Sequence, residues 1–314
     1  MVIHLYYSDM LVENITDLVG NTPLIRLERI NRNLYGKLEA VNPGGSIKDR
    51  AALQIIRDAY NSNRLNRGQP VIEMTSGNMG AGLAFVCRHF GNPFIAVMPL
   101  GNSPERLKIL KAMGTEVVLT DQVDGEPGMV TGKDIEYATE IAKEIAEKRN
   151  GFYVDQFYNP SSVRAHFNTT GVEIFKDMPD IDVFISAVGS GGTFIGVSRY
   201  LKSKKTSVKC IAVEPEKAAI LKTGRVTNSR HIIQGTGYCR IPPHWEPDLA
   251  DDIITVTDGE VADMTKKLTK DMGLYVGYSS GANVAAARKY ISGSDREEKI
   301  VVILFDTAYK YSDI

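Results

Sequence analysis

Short, almost continuously apolar runs alternate with longer stretches of helical periodicity from Gly36 to Phe305, and no other feature constrains this chain so tightly. The runs predict strands at residues 36–40, 71–74, 94–98, 116–120, 152–155, 183–188, 208–213, 253–256, 274–277 and 300–305. Helical spacing fills the intervals at 49–60, 79–90, 104–113, 132–148, 163–175, 192–202, 258–270 and 282–290. Strands apolar on both faces must be covered on both faces, and strands separated by helices are joined by crossovers, so the pattern predicts an α/β fold with mostly parallel sheets. At 314 residues the chain has room for about two such domains.

Composition excludes several function classes. The balance of 37 Lys+Arg against 38 Asp+Glu leaves a formal charge of -1, which argues against a broad nucleic-acid footprint. Three widely spaced cysteines, Cys87, Cys210 and Cys239, form no disulfide framework and suit a reducing cytoplasm. The opening MVIHLYYSDMLVEN lacks a basic n-region, so no targeting leader is expected. The most apolar later stretches are broken by Gly, Ser and Thr, and none predicts a membrane span. Five histidines form neither an HExxH motif nor a close ligand cluster, and no metal site is expected.

Four small-residue segments stand before predicted helices: NPGGSIKD at 42–49, TSGNMG at 75–80, GSGGT at 189–193 and GYSSGA at 277–282. Helix starts leave backbone N–H groups free, and small residues admit a ligand close to them, so such junctions suit anions. Taken singly, each also reads as a capped loop. The third segment is not a dinucleotide fingerprint, although Glu214 lies where a ribose-binding acid would: GxGxxG needs glycine at 194, where the chain has Phe194. Lys48 is the most chemically suggestive residue, because an amine desolvated beside an electropositive helix start is held partly neutral and nucleophilic. The alternative is a first-turn lysine behind a Ser46/Asp49 capping pattern.

In this order, GNTPLIRL at 20–27, NPGGSIKDR at 42–50, TSGN at 75–78, DQFYNP at 155–160, GSGGT at 189–193, AVEP at 212–215 and GYSSGA at 277–282 resemble the pyridoxal-phosphate enzymes of the cysteine synthase and cystathionine β-synthase family, of tryptophan-synthase-β-like fold type II. The resemblance implies a homodimer of two-domain protomers: a larger cofactor domain from 1–40 plus 151–314, and a smaller substrate-closing domain from 41–150. It implies that Lys48 carries pyridoxal 5'-phosphate covalently and acts as the base. Asn78 would bind the cofactor's 3-hydroxyl oxygen, Gly189, Ser190, Gly191, Gly192 and Thr193 its phosphate, and Ser279 would face its pyridine nitrogen. Thr75, Ser76 and Gln156, with backbone near Asn78, would hold the substrate carboxylate. A neutral Ser279 supplies no opposite charge to a pyridinium, which favours prompt β-elimination over transamination.

The activity implied is replacement of the acetoxy group of O-acetyl-L-serine by sulfide, giving L-cysteine and acetate. Other β-replacements or eliminations on serine, O-phosphoserine or cysteine are the alternative, with cystathionine, cyanoalanine, lanthionine, a diaminopropionate-type product or hydrogen sulfide as outcomes. A non-catalytic cofactor-binding partner is the third reading. Where the family commonly has Ala or Pro and Thr flanking TSGN, this chain has Met74 and Met79; these either fill core or touch substrate. The loop from Gln234 carries Tyr238 and Arg240, which either reshape the substrate mouth or form a surface loop. The terminal DTAYKYSD departs from the common DSGERY; Asp306 and Thr307 are expected to support the cofactor end of the pocket. Beyond it no room remains for the regulatory domain of some cystathionine β-synthases, so none is expected.

Overall fold

The computed structural model describes residues 11–124 and 130–311. The leader reading at the N-terminus therefore falls largely outside the described residues. The strands are β1 (Leu24–Arg26), β2 (Leu34–Leu38), β3 (Val71–Met74), β4 (Phe94–Pro99), β5 (Glu116–Thr120), β6 (Phe152–Tyr153), β7 (Val183–Ala187), β8 (Lys209–Pro215), β9 (Asp252–Val256) and β10 (Ile300–Leu304). They form two sheets, ordered β1-β2-β10-β7-β8-β9 and β5-β4-β3-β6. All pairs are parallel except β1 with β2. The protein is thus built of two α/β domains with mostly parallel central sheets.

Alternation along the strands divides the large sheet's side chains between two buried layers. Val183, Ile185, Val302 and Leu304 face the layer completed by the Tyr278–Ser292 helix. Phe184, Cys210, Ala212, Val301 and Ile303 face the layer containing Phe194 and Val197 of the Gly192–Lys204 helix. In the smaller sheet Val71, Phe94 and Ala96 meet the Lys48–Asn61 and Asn78–Phe90 helices. On the other face Ile72, Ile95 and Val97 meet Ala138, Ala142 and Ala146, a stripe of the Gly132–Lys148 helix that recurs every fourth residue. That helix begins at a capping box: Thr131 Oγ1 accepts the Asp134 N–H (3.3 Å), and the Asp134 carboxylate accepts the Thr131 N–H (2.9 Å). Among the described residues no helix is long and apolar enough to cross a membrane.

The structure departs from the sequence pattern at four points. Residues 274–277 form no sheet strand; they touch the chain beyond β10 through a Val276–Thr307 bridge, because β2 and β7 already occupy both sides of β10. Strand β1, with Leu24 and Ile25 half-buried and Arg26 exposed, has no apolar run to announce it. The helix expected at 163–175 is interrupted by a wide turn at His166–Thr170 between Ser161–Ala165 and Gly171–Asp177. Strand β6 pairs with β3, so the smaller sheet takes in residues past the boundary expected at 150.

Buried ion pairs tie the front of the Lys48–Asn61 helix to the larger domain. Arg50 donates from Nε to Glu39 (2.7 Å) and from its terminal nitrogens to Glu173 (2.6 and 2.7 Å), while buried Lys37 reaches Glu173 at 2.9 Å. Burial alone would raise the Glu173 carboxyl, but hydrogen bonds and charge from Arg50 and Lys37 hold it at about 2. Because the folded-state value lies below the ordinary one of 4.5, Glu173 contributes stability above that value and loses it as pH falls toward 2. Thermal melts are expected to drop across this acid window, and Glu173→Gln to flatten that part of the profile. An unchanged acid slope in the variant would contradict the assignment.

Candidate active site

All four glycine-rich segments do precede helices, beginning at Lys48, Asn78, Gly192 and Tyr278. Their starts converge on one cavity of about 420 Å³ between the two sheets' connecting segments, lined by Lys48, Thr75, Ser76, Asn78, Gln156, Gly189, Ser190, Gly191, Thr193 and Ser279. Gly192 is the exception: it does not line the cavity, and a side chain there would press on Ser162 at 3.2 Å. Glu214 is not free for a ribose, since its carboxylate accepts the N–H groups of Leu221 and Lys222 at 3.0 to 3.1 Å.

Lys48 opens its helix behind Ile47, whose N–H is held by the Phe305 carbonyl at 2.9 Å. The capping alternative is realised only in part. Ser46 Oγ accepts the Lys48 N–H at 3.3 Å, but Asp49 turns back to accept the Gly44 N–H at 2.5 Å. Desolvation lowers the Lys48 amine to about 8, so its neutral form is reached at a much lower pH than an ordinary lysine's.

Gly191 adopts φ +91° immediately before the Gly192–Lys204 helix, a conformation glycine takes without the Cβ clash other residues meet. At Gly189 an added Cβ would lie 2.2 Å from the Gly235 carbonyl oxygen. Ser190 and Thr193 supply hydroxyls to the same cradle. Behind it stands buried His166 of the wide turn, with Nε2 3.2 Å from Thr193 Oγ1 and Nδ1 3.0 Å from Thr170 Oγ1. Burial pushes the His166 imidazole well below its usual range and keeps it neutral, so it can accept a hydrogen bond through one nitrogen and donate through the other.

On the facing wall, Thr75 Oγ1 accepts the Gly80 N–H (3.1 Å), and Ser76 Oγ accepts from Arg106 (3.3 Å). Arg106 also reaches Gln234 across the mouth. Gln156 donates to buried Glu73 at 2.9 Å. Ser279 donates to the Gln234 carbonyl at 3.2 Å. Asn78 is held at both ends: its Nδ2 donates to Asp306 (2.7 Å) and its Oδ1 accepts from Lys310 (2.8 Å). Lys310 also donates to the Gly44 carbonyl at 2.5 Å, and Tyr311 to Asp306 at 2.7 Å.

The terminal segment therefore braces both the Lys48 loop and the Asn78 loop. Asp306 takes part as expected, whereas the Thr307 hydroxyl is turned to the Tyr309 N–H at 3.3 Å. Glu73, Arg106, Lys310 and Tyr311 were not singled out from sequence. Lys310 and Tyr311 lay in the very segment that departs from the family ending, but nothing local pairs them with Asn78, more than 200 residues away.

Met79 is buried in the smaller domain's core as well as lining the cavity, so the packing alternative holds for much of its surface. Met74 is half-buried and also does both. Tyr238 lines the cavity and meets Phe157 edge-on at 5.2 Å, while exposed Arg240 lies 5.0 Å from the same ring.

A family model described as pyridoxal-phosphate dependent enzyme matches residues 15–306, and the chain belongs to this family. It is a fold-type II enzyme of the cysteine synthase and cystathionine β-synthase class, whose chemistry is β-replacement or β-elimination. Cysteine synthase B of Campylobacter jejuni is 39% identical over 300 residues, 95% of this chain and 96% of that one. A crystal structure of O-ureido-L-serine synthase superposes with TM-score 0.89 at 34% identity, covering 97% of this chain and 94% of the other. A hydrogen sulfide-producing enzyme from Fusobacterium nucleatum gives TM-score 0.88 at 35% identity, covering 97% and 99%.

The residues present fit the cofactor. The cavity joins a desolvated lysine amine with a helix-start cradle whose Gly189 has no room for a side chain against the Gly235 carbonyl, and an amine and an anion cradle are the two attachments that a phosphorylated aldehyde needs.

Proposed function

We propose that this enzyme exchanges or eliminates the β-substituent of a small L-amino acid, with O-acetyl-L-serine as donor and sulfide as nucleophile the first pair to test. The observation that carries the reading is the single cavity shared by a desolvated Lys48, an anion cradle and a second set of carboxylate-binding groups. Bound pyridoxal phosphate supplies the electron-withdrawing ring that makes loss of a Cα proton and departure of a β-substituent accessible. Lys48 would hold the cofactor covalently, and its Nζ would take and return the Cα proton. The N–H groups and hydroxyls of Gly189, Ser190, Gly191 and Thr193 would bind the phosphate, and Asn78, fixed by Asp306 and Lys310, would hold the cofactor's 3-hydroxyl oxygen. Thr75, Ser76 and Gln156 hold the carboxylate, so that the Cα–H bond is turned toward Lys48. Ser279 would offer the pyridine nitrogen a partner without a charge.

A second reading has L-cysteine as donor and sulfide as product; likeness to the sulfide-producing Fusobacterium enzyme favours it. We further propose that the protein works as a homodimer, and that the smaller domain, taken as residues 41–153 to include β6, closes on substrate. Purified holoenzyme incubated separately with O-acetyl-L-serine plus sulfide and with L-cysteine, followed by product mass analysis and sulfide detection, decides between the donors. Cysteine formed from O-acetyl-L-serine supports the first, and sulfide released only from L-cysteine supports the second. Turnover of neither, while another β-substituted amino acid reacts, would replace both donors and keep the reaction class.

A further inference from the structure

Glu73 is a buried carboxylate that touches the cavity residue Gln156 from behind. It lies on β3, only 1% exposed, and points toward the turn that follows β6. One oxygen accepts the Gln156 Nε2–H at 2.9 Å and the other accepts the Asp155 backbone N–H at 2.9 Å. Asp155 has φ +55°, in the left-handed region that a residue with a Cβ enters only at a cost. The paired strands beneath, with Ile72 opposite Tyr153, fix the distance from which Glu73 reaches both groups. Burying this carboxylate costs solvation, and desolvation raises it to about 8, so its two hydrogen bonds hold a group the fold would otherwise expel.

We propose that Glu73 is a positioning residue for substrate: by accepting from both Asp155 and Gln156 it holds the strained turn and fixes which end of the Gln156 amide faces the cavity. Ionised, Glu73 has no hydrogen to offer, and both its oxygens accept, so above about pH 8 Gln156 must turn its nitrogen to Glu73. The amide is thereby locked against the flip that would exchange donor and acceptor. Its second Nε2–H remains for a substrate carboxylate. A glutamine at 73 could satisfy Asp155 through its oxygen, but it would then offer an N–H to Gln156 and reverse that amide. This inference rests on the reading that Gln156 binds the substrate carboxylate.

The test is a double-mutant cycle in holoenzyme, run above pH 8 where Glu73 is ionised, with whichever of O-acetyl-L-serine and L-cysteine turns over, measuring KM, kcat, cofactor absorbance and thermal midpoint for Glu73→Gln, Gln156→Ala and the pair. Glu73→Gln is expected to raise KM about 10- to 100-fold, the worth of one charge-assisted hydrogen bond, with kcat changed much less and the cofactor absorbance unchanged. In a Gln156→Ala background the same change is expected to add almost nothing. If Glu73→Gln yields no soluble holoenzyme, Glu73→Asp enters the cycle instead, since it keeps the charge but is too short to reach both donors.

Equal KM penalties with and without Gln156 would overturn the proposal, as would a loss of cofactor binding that accounts for the whole defect. If Gln156→Ala alone leaves KM unchanged, the carboxylate role of Gln156 falls and the positioning role of Glu73 falls with it. A large effect of Gln156→Ala beside a silent Glu73→Gln would reject only the latter.

Discussion

Lys48→Ala is expected to lower kcat by at least about 10²–10⁴-fold, the range that a positioned proton-transfer group contributes, while leaving a folded protein. Lys48 is half-buried at the cavity wall and its substitution creates no unpaired buried charge, so the loss is chemical. Borohydride reduction of holoenzyme followed by peptide mapping should place the pyridoxyl group on the Lys48 peptide. The rival amine is Lys310, which desolvation also lowers, though Asp49 and Asp306 oppose the shift. Lys310 is engaged with the Gly44 carbonyl and Asn78 Oδ1, and those two acceptors stabilise its protonated form. A reduced adduct on Lys310 would overturn the assignment of Lys48.

Gly191→Asp is expected to weaken cofactor binding about 10³-fold, because a carboxylate about 4 Å from a phosphate charge costs about 4 kcal/mol at an effective dielectric constant near 20. The backbone adds to this, since φ is +91° and a Cβ would meet His244 Cβ at 3.2 Å. Ser76→Ala should behave differently. It removes one hydroxyl from the facing wall, so donor KM is expected to rise while cofactor affinity holds. Cofactor titration by absorbance and donor titration by initial rates separate the two. Equal loss of cofactor affinity in both variants would mean that the two anion sites are not distinct.

Much of this site was legible because its parts are local. NPGGSIKDR, TSGN and GSGGT each combine small residues with a helix start, and a helix start follows from neighbouring residues alone. The strands of the larger sheet were legible for a related reason: unbroken apolar runs such as IVVIL at Ile300–Leu304 suit only a sheet covered on both sides. Residues 274–277 misled by the same logic. Leu-Tyr-Val-Gly has strand composition, but pairing depends on a vacant neighbour, and β10 has none.

The sequence by itself determined the alternation of strands and helices and the glycine-rich helix starts, because each depends on residues within a few positions, and it raised Lys48 as the candidate for covalent chemistry. Tertiary structure alone decided what surrounds them. Asn78 is clamped by Asp306 and Lys310, Gln156 by Glu73, and Thr193 faces His166, each across a separation that only the packed chain closes. A hydrogen bond between distant residues leaves no periodicity in the sequence, since what fixes it is the register of strands and the crossing of helices.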